Sequence, residues 1–301
     1  MIVIFASAES FTAKGASELA KLKKLATLQF WNGTLTDEAV KPLMRLPLLE
    51  SLNFVGCRNL TGEFLEALPE GNRLTGLGLN GTGLTDAAFR HLKRAPKLAT
   101  LTMEVTKVTG AGFRHLEGME ELRIINCHGC LVDDVEGLAT LAKLPRLTQL
   151  TLHICPVTDA GVKAFSASES LWSVDLIGSK VTDDCAAALA SMKNLEGLSI
   201  WKTDLTDRGI AELAKSRSLT NLHCGGKGVT VAAVEALAER KKPWLDLWIV
   251  YSPLTDAAVP SLLRFKNLQS LNVDGSKITP EGMGRLRAGM PKTKVFPEAK
   301  K

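Results

Sequence analysis

The stretch Leu195–Ser218, LEGLSIWKTDLTDRGIAELAKSRS, decides the fold. Leu195, Leu198 and Ile200 fall at L-x-x-L-x-L spacing, which predicts a short strand. Thr203 and Leu205 follow in a turn, then Thr206-Asp207, then a helical pattern carried by Ile210 and Leu213. Almost everything from the N-terminus to Leu286 reads as copies of this block.

The first strand position of successive copies is Leu25, Leu49, Leu74, Leu98, Leu122, Leu147, Leu171, Leu195, Leu219, Trp244 and Leu268, with steps of 24 or 25 residues. Two further apolar positions follow three and five residues later, as in Leu77 and Leu79 or Leu271 and Val273. The second half is as regular: Leu35, Leu84, Val108, Val157, Val181, Leu205, Val229, Leu254 and Ile278 each precede Thr. That Thr suits a helix N-cap. Asp37, Asp86, Asp159, Asp183, Asp207 and Asp256 come next, where the helix dipole favours an anion, and Pro280 takes that place in the last copy. Extra residues near Arg58-Asn59, Val135 and Lys241 are expected to be absorbed in loops.

A 24- to 25-residue period built on L-x-x-L-x-L resembles the leucine-rich repeat. The T-D-x-[AG] step into the helix resembles its cysteine-containing subclass, known from F-box proteins and from many bacterial repeat proteins. The resemblance implies a right-handed α/β solenoid of ribonuclease-inhibitor type, a horseshoe with parallel strands on the concave face and helices on the convex face. The expected organisation is one domain over residues 1–301. It comprises a degenerate repeat at 1–24, eleven repeats at 25–289, and a half-repeat and tail at 290–301. In this register Met1 and Ile4 take strand positions, Phe11-Thr12 matches Leu205-Thr206, and Val295 begins to close the array. No room is left for an F-box ahead of the repeats. The substrate-recognition part of a ubiquitin-ligase-like or effector assembly therefore stands as an alternative use of the fold.

Composition narrows the function classes. Hydrophobic residues make up 45% and charged residues 23%, the net charge is +5, and no apolar run is long enough to span a bilayer. Met1–Phe5 followed by Ala6-Ser7-Ala8 resembles the end of a signal peptide, but it lacks a basic segment and is short, so the repeat reading is preferred. The six cysteines fall in repeat positions: Cys127 and Cys224 in the third strand position, Cys57, Cys130 and Cys155 in the turn, and Cys185 in the small-residue position of Ala88 and Gly209. No disulfide framework or cofactor is implied, and a reducing, cytoplasmic setting is expected.

Two competing functions can be named. Cys127-x-x-Cys130 with His128 and His153 raises a metal-dependent enzyme; the two histidines share one position in adjacent repeats, about 5 Å apart. Lys21, Lys23, Lys24, Lys93, Arg94, Lys97, Lys215, Arg217, Arg240, Lys241 and Lys242 follow the helices and would form a basic edge for nucleic acid. Cations there equally complement helix C-termini, and aromatics are not interleaved with them. His91 and His115 are expected at the helix surface, and no Ser, His and Asp set with nucleophile geometry is evident.

The concave strand face carries the preferred reading. Its positions are mostly small and polar, such as Thr27, Ser51, Thr100, Ser199 and Asn272. Trp31, Trp201, Trp248 and Tyr251 depart from that background, with His223 read as lying between Trp201 and Trp248. Lys202 adds a cation, and Asp175 and Asp246 add carboxylates. These eight residues are the candidate site of a non-catalytic module that binds a protein or peptide, since Trp and Tyr are enriched at binding hot spots.

Overall fold

The first strand position is buried at every repeat, from Leu25 to Leu268, with Trp244 filling it once. Such a column can be covered only by the same column of the next repeat, so each repeat depends on its neighbours. The computed structural model describes residues 2–7 and 11–298 and divides into two compact units, Met1–Pro156 and Val157–Lys301. The expected strand place of Met1, the Ala8 of the leader-like triplet and the last three tail residues lie outside the described residues.

In the first unit the strands are β1 (Ile2–Ser7), β2 (Leu25–Trp31), β3 (Ser51–Val55), β4 (Gly76–Asn80), β5 (Thr100–Thr102), β6 (Ile124–Asn126) and β7 (Gln149–Thr151). Each pairs in parallel with the next in sequence, in register: Leu28 faces Leu52, Leu52 faces Leu77, Leu77 faces Leu101. Ile4 faces Leu28, the place assigned to it by spacing. The second unit has β8 (Ser173–Asp175), β9 (Gly197–Ser199), β10 (Asn221–Gly225), β11 (Asp246–Val250), β12 (Ser270–Asn272) and β13 (Lys294–Phe296), paired in the same manner. Val295 faces Leu271 in β13.

The returning segments are helical, but not uniformly α. Glu63–Ala67, Asp86–Arg94 and Ala111–Leu116 are 3-10 helices, whereas Val135–Ala142, Asp207–Leu213, Val231–Ala238 and Pro280–Gly289 are α. The tighter helix rises about 2.0 Å per residue, so fewer residues carry the chain back along the strand layer. Phe89 and Leu92, or Val234 and Leu237, bury the inner face of these segments as their spacing predicts.

The Thr-Asp step does more than cap its own helix. Thr206, Thr230, Thr255 and Thr279 do cap, but Thr85 and Thr158 make no side-chain cap bond, and Gly110 rather than Thr109 precedes its helix. The carboxylate of each Asp instead reaches the Thr of the following repeat. Asp207 accepts from Thr230 N (2.6 Å), Thr230 Oγ1 (2.7 Å) and Ala233 N (3.2 Å). Asp183 accepts from Thr206 N and Oγ1 and from Gly209 N, and Asp37, Asp86, Asp159 and Asp256 repeat the bond pair to Thr61, Thr109, Thr182 and Thr279. The dipole explanation of these aspartates is therefore incomplete: they tie repeats together. The small residue two places after Asp follows from the same contact. A Cβ at Gly209 would stand 2.3 Å from Asp183 Oδ1, and one at Gly282 would stand 2.4 Å from Asp256 Oδ1.

All six cysteines are buried and free. Cys130 Sγ donates to Met103 O (2.6 Å) and Cys155 Sγ to Cys127 O (3.4 Å), so the turn thiols tie neighbouring repeats as Thr106 and Thr203 tie their own turns. Burial pushes the Cys224 thiol up to about 12 and the Cys127 thiol up as well, keeping both protonated at neutral pH.

Two outcomes follow from the carboxylate ties. Asp207→Ala strands two N–H groups and a hydroxyl and should cost about 1–3 kcal/mol in urea unfolding followed by circular dichroism. The carboxylate of Asp183 is raised by burial but lowered more by its bonds from Thr206, Arg208 and Gly209, leaving it below the usual range. Its contribution is then complete above the unfolded carboxylate value of about 4 and is lost as pH falls through it. Urea midpoints should be level from about pH 7 to 5 and fall below about 4, and Asp183→Asn should flatten part of that fall.

Candidate functional site

Side chains on β8 to β13 form two rows on the open face of the second unit. One row holds Ser173, Gly197, Asn221, Asp246, Ser270 and Lys294; the other holds Asp175, Ser199, His223, Trp248, Asn272 and Phe296. His223 faces Trp248 across β10 and β11, and the rings stack at 4.1 Å between centroids and 15° between planes. His223 Nδ1 lies 3.2 Å from Ser199 Oγ, and Nε2 lies 3.3 Å from Asp246 Oδ2. A Ser–His–Asp chain therefore exists where none was expected, because the strand register brings together residues 23 and 24 apart in sequence. Both ring nitrogens are engaged, which fixes the imidazole flat on Trp248. Asp246 is raised by burial but lowered more by its bond to His223 and that ring's charge, and it titrates below the usual carboxylate range.

Trp201 does not join that row. It stands two residues beyond Ser199, in the place of Gly225 in the next repeat, so His223 does not lie between two tryptophans as expected. Trp201 instead stacks on Tyr251, at 5.6 Å and 30°. Strands two apart are about 10 Å from each other, so the rings must lean together across the intervening one. The strand between them ends in Gly225-Gly226: a Cβ at Gly225 would strike Val250 O at 1.9 Å, and Gly226 opens onto empty space. Lys202 Nζ sits 4.6 Å from the Trp201 ring, a cation–π contact. Asp175 is two strands from His223 and accepts from Ile177 N (2.9 Å) at the end of its own strand. Trp31 belongs to the first unit, at the end of β2, and is about one-third exposed.

Lys202 and Tyr251 share a backbone feature that residue spacing did not show. The residue seven after the first strand position is left-handed throughout, as at Gly178 (φ +68°) and Gly275 (φ +72°). Lys202 (φ +57°), Tyr251 (φ +52°), Val105 (φ +52°), Ile154 (φ +53°) and Asn32 (φ +54°) hold it without being glycine. Left-handed conformation costs a side-chain-bearing residue about 1–2 kcal/mol. Burial does not offset it: Tyr251 is 54% exposed and Val105 66%. From Gly81 to Gly129 and from Gly178 to Gly275, side chain and glycine alternate repeat by repeat. A close approach explains one of these glycines, since a Cβ at Gly275 would meet Tyr251 Cδ1 at 2.5 Å, whereas one at Gly129 would stand 3.6 Å from Val105 Cγ2 and one at Gly226 would meet nothing.

The first unit's histidine pair is a stack. His128 and His153 lie face to face, 4.6 Å apart and 26° from parallel, so their nitrogens do not converge on one point. Among the described residues, the group close enough to hold a metal is Glu63, Glu66 and His91, on the helical side, and it is taken up by ion pairs to Arg90 and Lys41. His91 is not simply at the surface; it bonds Glu63 at 3.2 Å. Members of the basic edge reach back to backbone carbonyls: Lys242 to Arg217 O and Ser218 O, and Arg94 to Leu68 O.

A leucine-rich-repeat model matches residues 266–286. No curated protein sequence matches the chain. Two solved structures are similar over 99% of it, each with a TM-score of 0.63. One is an internalin from Listeria monocytogenes, 20% identical with 86% of its chain covered. The other is a chain of the Rad7 and Elc1 complex in yeast, 19% identical with 81% covered.

Val105→Gly tests whether the left-handed side chains are kept at a cost in stability. Relief of about 1–2 kcal/mol is opposed by about 0.5–1 kcal/mol of glycine entropy, so the melting temperature should rise slightly. A lower value would show that packing of Val105 holds the residue there. Repeat spacing, parallel in-register strands, the repeat model matched at residues 266–286 and both solved neighbours agree: the chain has the leucine-rich-repeat fold.

Proposed function

We propose that the chain is a non-catalytic protein- or peptide-binding module whose partner docks on the aromatic face of the second unit. The observation that carries this is Tyr251, held left-handed and half exposed while stacked on Trp201 across a glycine pair. A side chain kept in a strained, exposed position is better explained by recognition than by folding. Around it, Trp248, His223 and Lys202 supply flat aromatic surface and a cation, and Asp246 and Asp175 supply acceptors. Rigid aromatics with a charged border suit an interface hot spot. One of the similar solved structures is that of a complex, Rad7 with Elc1, which supports a fold used to hold another protein.

Partner captured from the native source by the immobilised chain should be identified and its affinity measured. Trp201→Ala and Trp248→Ala should each weaken binding at least tenfold, about 1.4 kcal/mol or more, with little change in melting temperature. Trp31→Ala, in the other unit, should have much less effect. Normal binding by both second-unit variants, or their unfolding, would refute this placement.

A further inference from the structure

Arg240 breaks the pattern of its repeat. Three residues before the first strand position, other repeats bury a small or apolar side chain: Leu46, Ala95, Met119 and Leu144 in the first unit, Met192 and Phe265 in the second. The extra residue near Lys241 alters this step. Half-buried Arg240 enters that layer instead and donates from Nη2 to Ser216 O (2.7 Å) and Leu219 O (2.6 Å). Its guanidinium lies over Trp244, 4.2 Å from the ring. The indole is itself anchored by Nε1 donating to Leu237 O (3.2 Å). The fork is thus fixed in position, and burial draws its pKa below the usual guanidinium value. Nε and Nη1 are buried and have no acceptor. These two nitrogens are closed to solvent, so Arg240 acts on its surroundings through a charge without a counter-ion, which is costly to bury.

Beside it is a cavity of about 240 Å³, bounded by Arg240, Lys241, Lys242, Arg264 and Lys266, with Trp244 and Phe265 at its apolar wall. Among the described residues lining it there is no carboxylate, and none of the five cations forms an ion pair in the structure. The volume exceeds that of a single water, whose share of the liquid is about 30 Å³, and leaves room for a tetrahedral oxyanion. The geometry points to this cavity as a binding site for a phosphate group, with Arg240 as its fixed element and Arg264 and Lys266 closing on it from the next repeat. Exposed Arg264 presents a planar fork matched to phosphate, Arg240 adds its fixed charge behind it, and the lysines add point charge. A free phosphate ester and a lipid headgroup offer the same chemistry.

The full chain should be titrated calorimetrically with inorganic phosphate, against sodium chloride at matched ionic strength. Expected is saturable binding with a dissociation constant of about 1 mM or tighter, together with a rise in melting temperature that chloride does not give. The exposed pair Arg264→Gln/Lys266→Gln should weaken it at least tenfold, and so should Lys241→Gln to a smaller degree. Lys277→Gln, outside the cavity, should leave it unchanged. Sedimentation with phosphatidylcholine vesicles containing phosphatidic acid separates the sources. Capture lost in the double variant assigns a headgroup, and phosphate binding without capture assigns a free oxyanion. Phosphate acting no better than chloride, or the folded double variant binding as wild type does, would overturn the site.

Discussion

The Asp–Thr bond between consecutive repeats is the constraint from which the rest follows. A column of buried leucines is indifferent to small slides between repeats, because apolar contact is non-directional. A carboxylate that accepts from a backbone N–H and the hydroxyl of the same Thr is not. It sets where each helix begins relative to the preceding one, as Asp183 does for Thr206 and Asp207 for Thr230. It also dictates a small residue at Gly209 and Ala233, whose N–H groups complete the contact. With helix starts fixed in this way, the strands meet in register and their outward side chains fall into rows.

Those rows are what make the aromatic face possible. Register sets Ser199 opposite His223 and brings Asp246 within its reach from the neighbouring row, and Trp248 gains a flat partner in an imidazole held at both nitrogens. The Trp201–Tyr251 stack has a different origin. It brings together rings from strands two apart, beside Gly225-Gly226 of the strand between them. Arg240 belongs to neither scheme, since an added residue at a loop carries it into a layer built for apolar groups.

How much of this could be read from residues alone divides along physical lines. Period, strand and helix order, and the burial of Leu198 or Phe89 are set by local spacing, so they were legible. The Thr-Asp motif was visible, but its acceptors lie 23 residues away, and a dipole argument within one repeat could not reach them. Trp201, Trp248, Tyr251 and His223 stood out against a small, polar background. Which ring would face which depended on a two-residue offset past the strand end and on rings leaning together from strands two apart. The left-handed position was hidden because Lys202, Val105 and Tyr251 occupy it beside glycine, and composition at that place looks unconstrained.

The alternation of glycine with a side chain at that position has an evolutionary consequence. From Gly81 to Gly275 this position repeats every two units, near 49 residues, although each strand and helix recurs at about half that; ahead of it Gly56 and Gly81 stand in consecutive repeats. Unequal recombination that removed the single repeat carrying Gly226 would set Lys202 and Tyr251 side by side in neighbouring left-handed turns, with no glycine between them. Loss or gain of an even number of repeats would keep the phase. A lineage of such chains should therefore vary in length by pairs, and the exceptions should carry a compensating glycine at the junction.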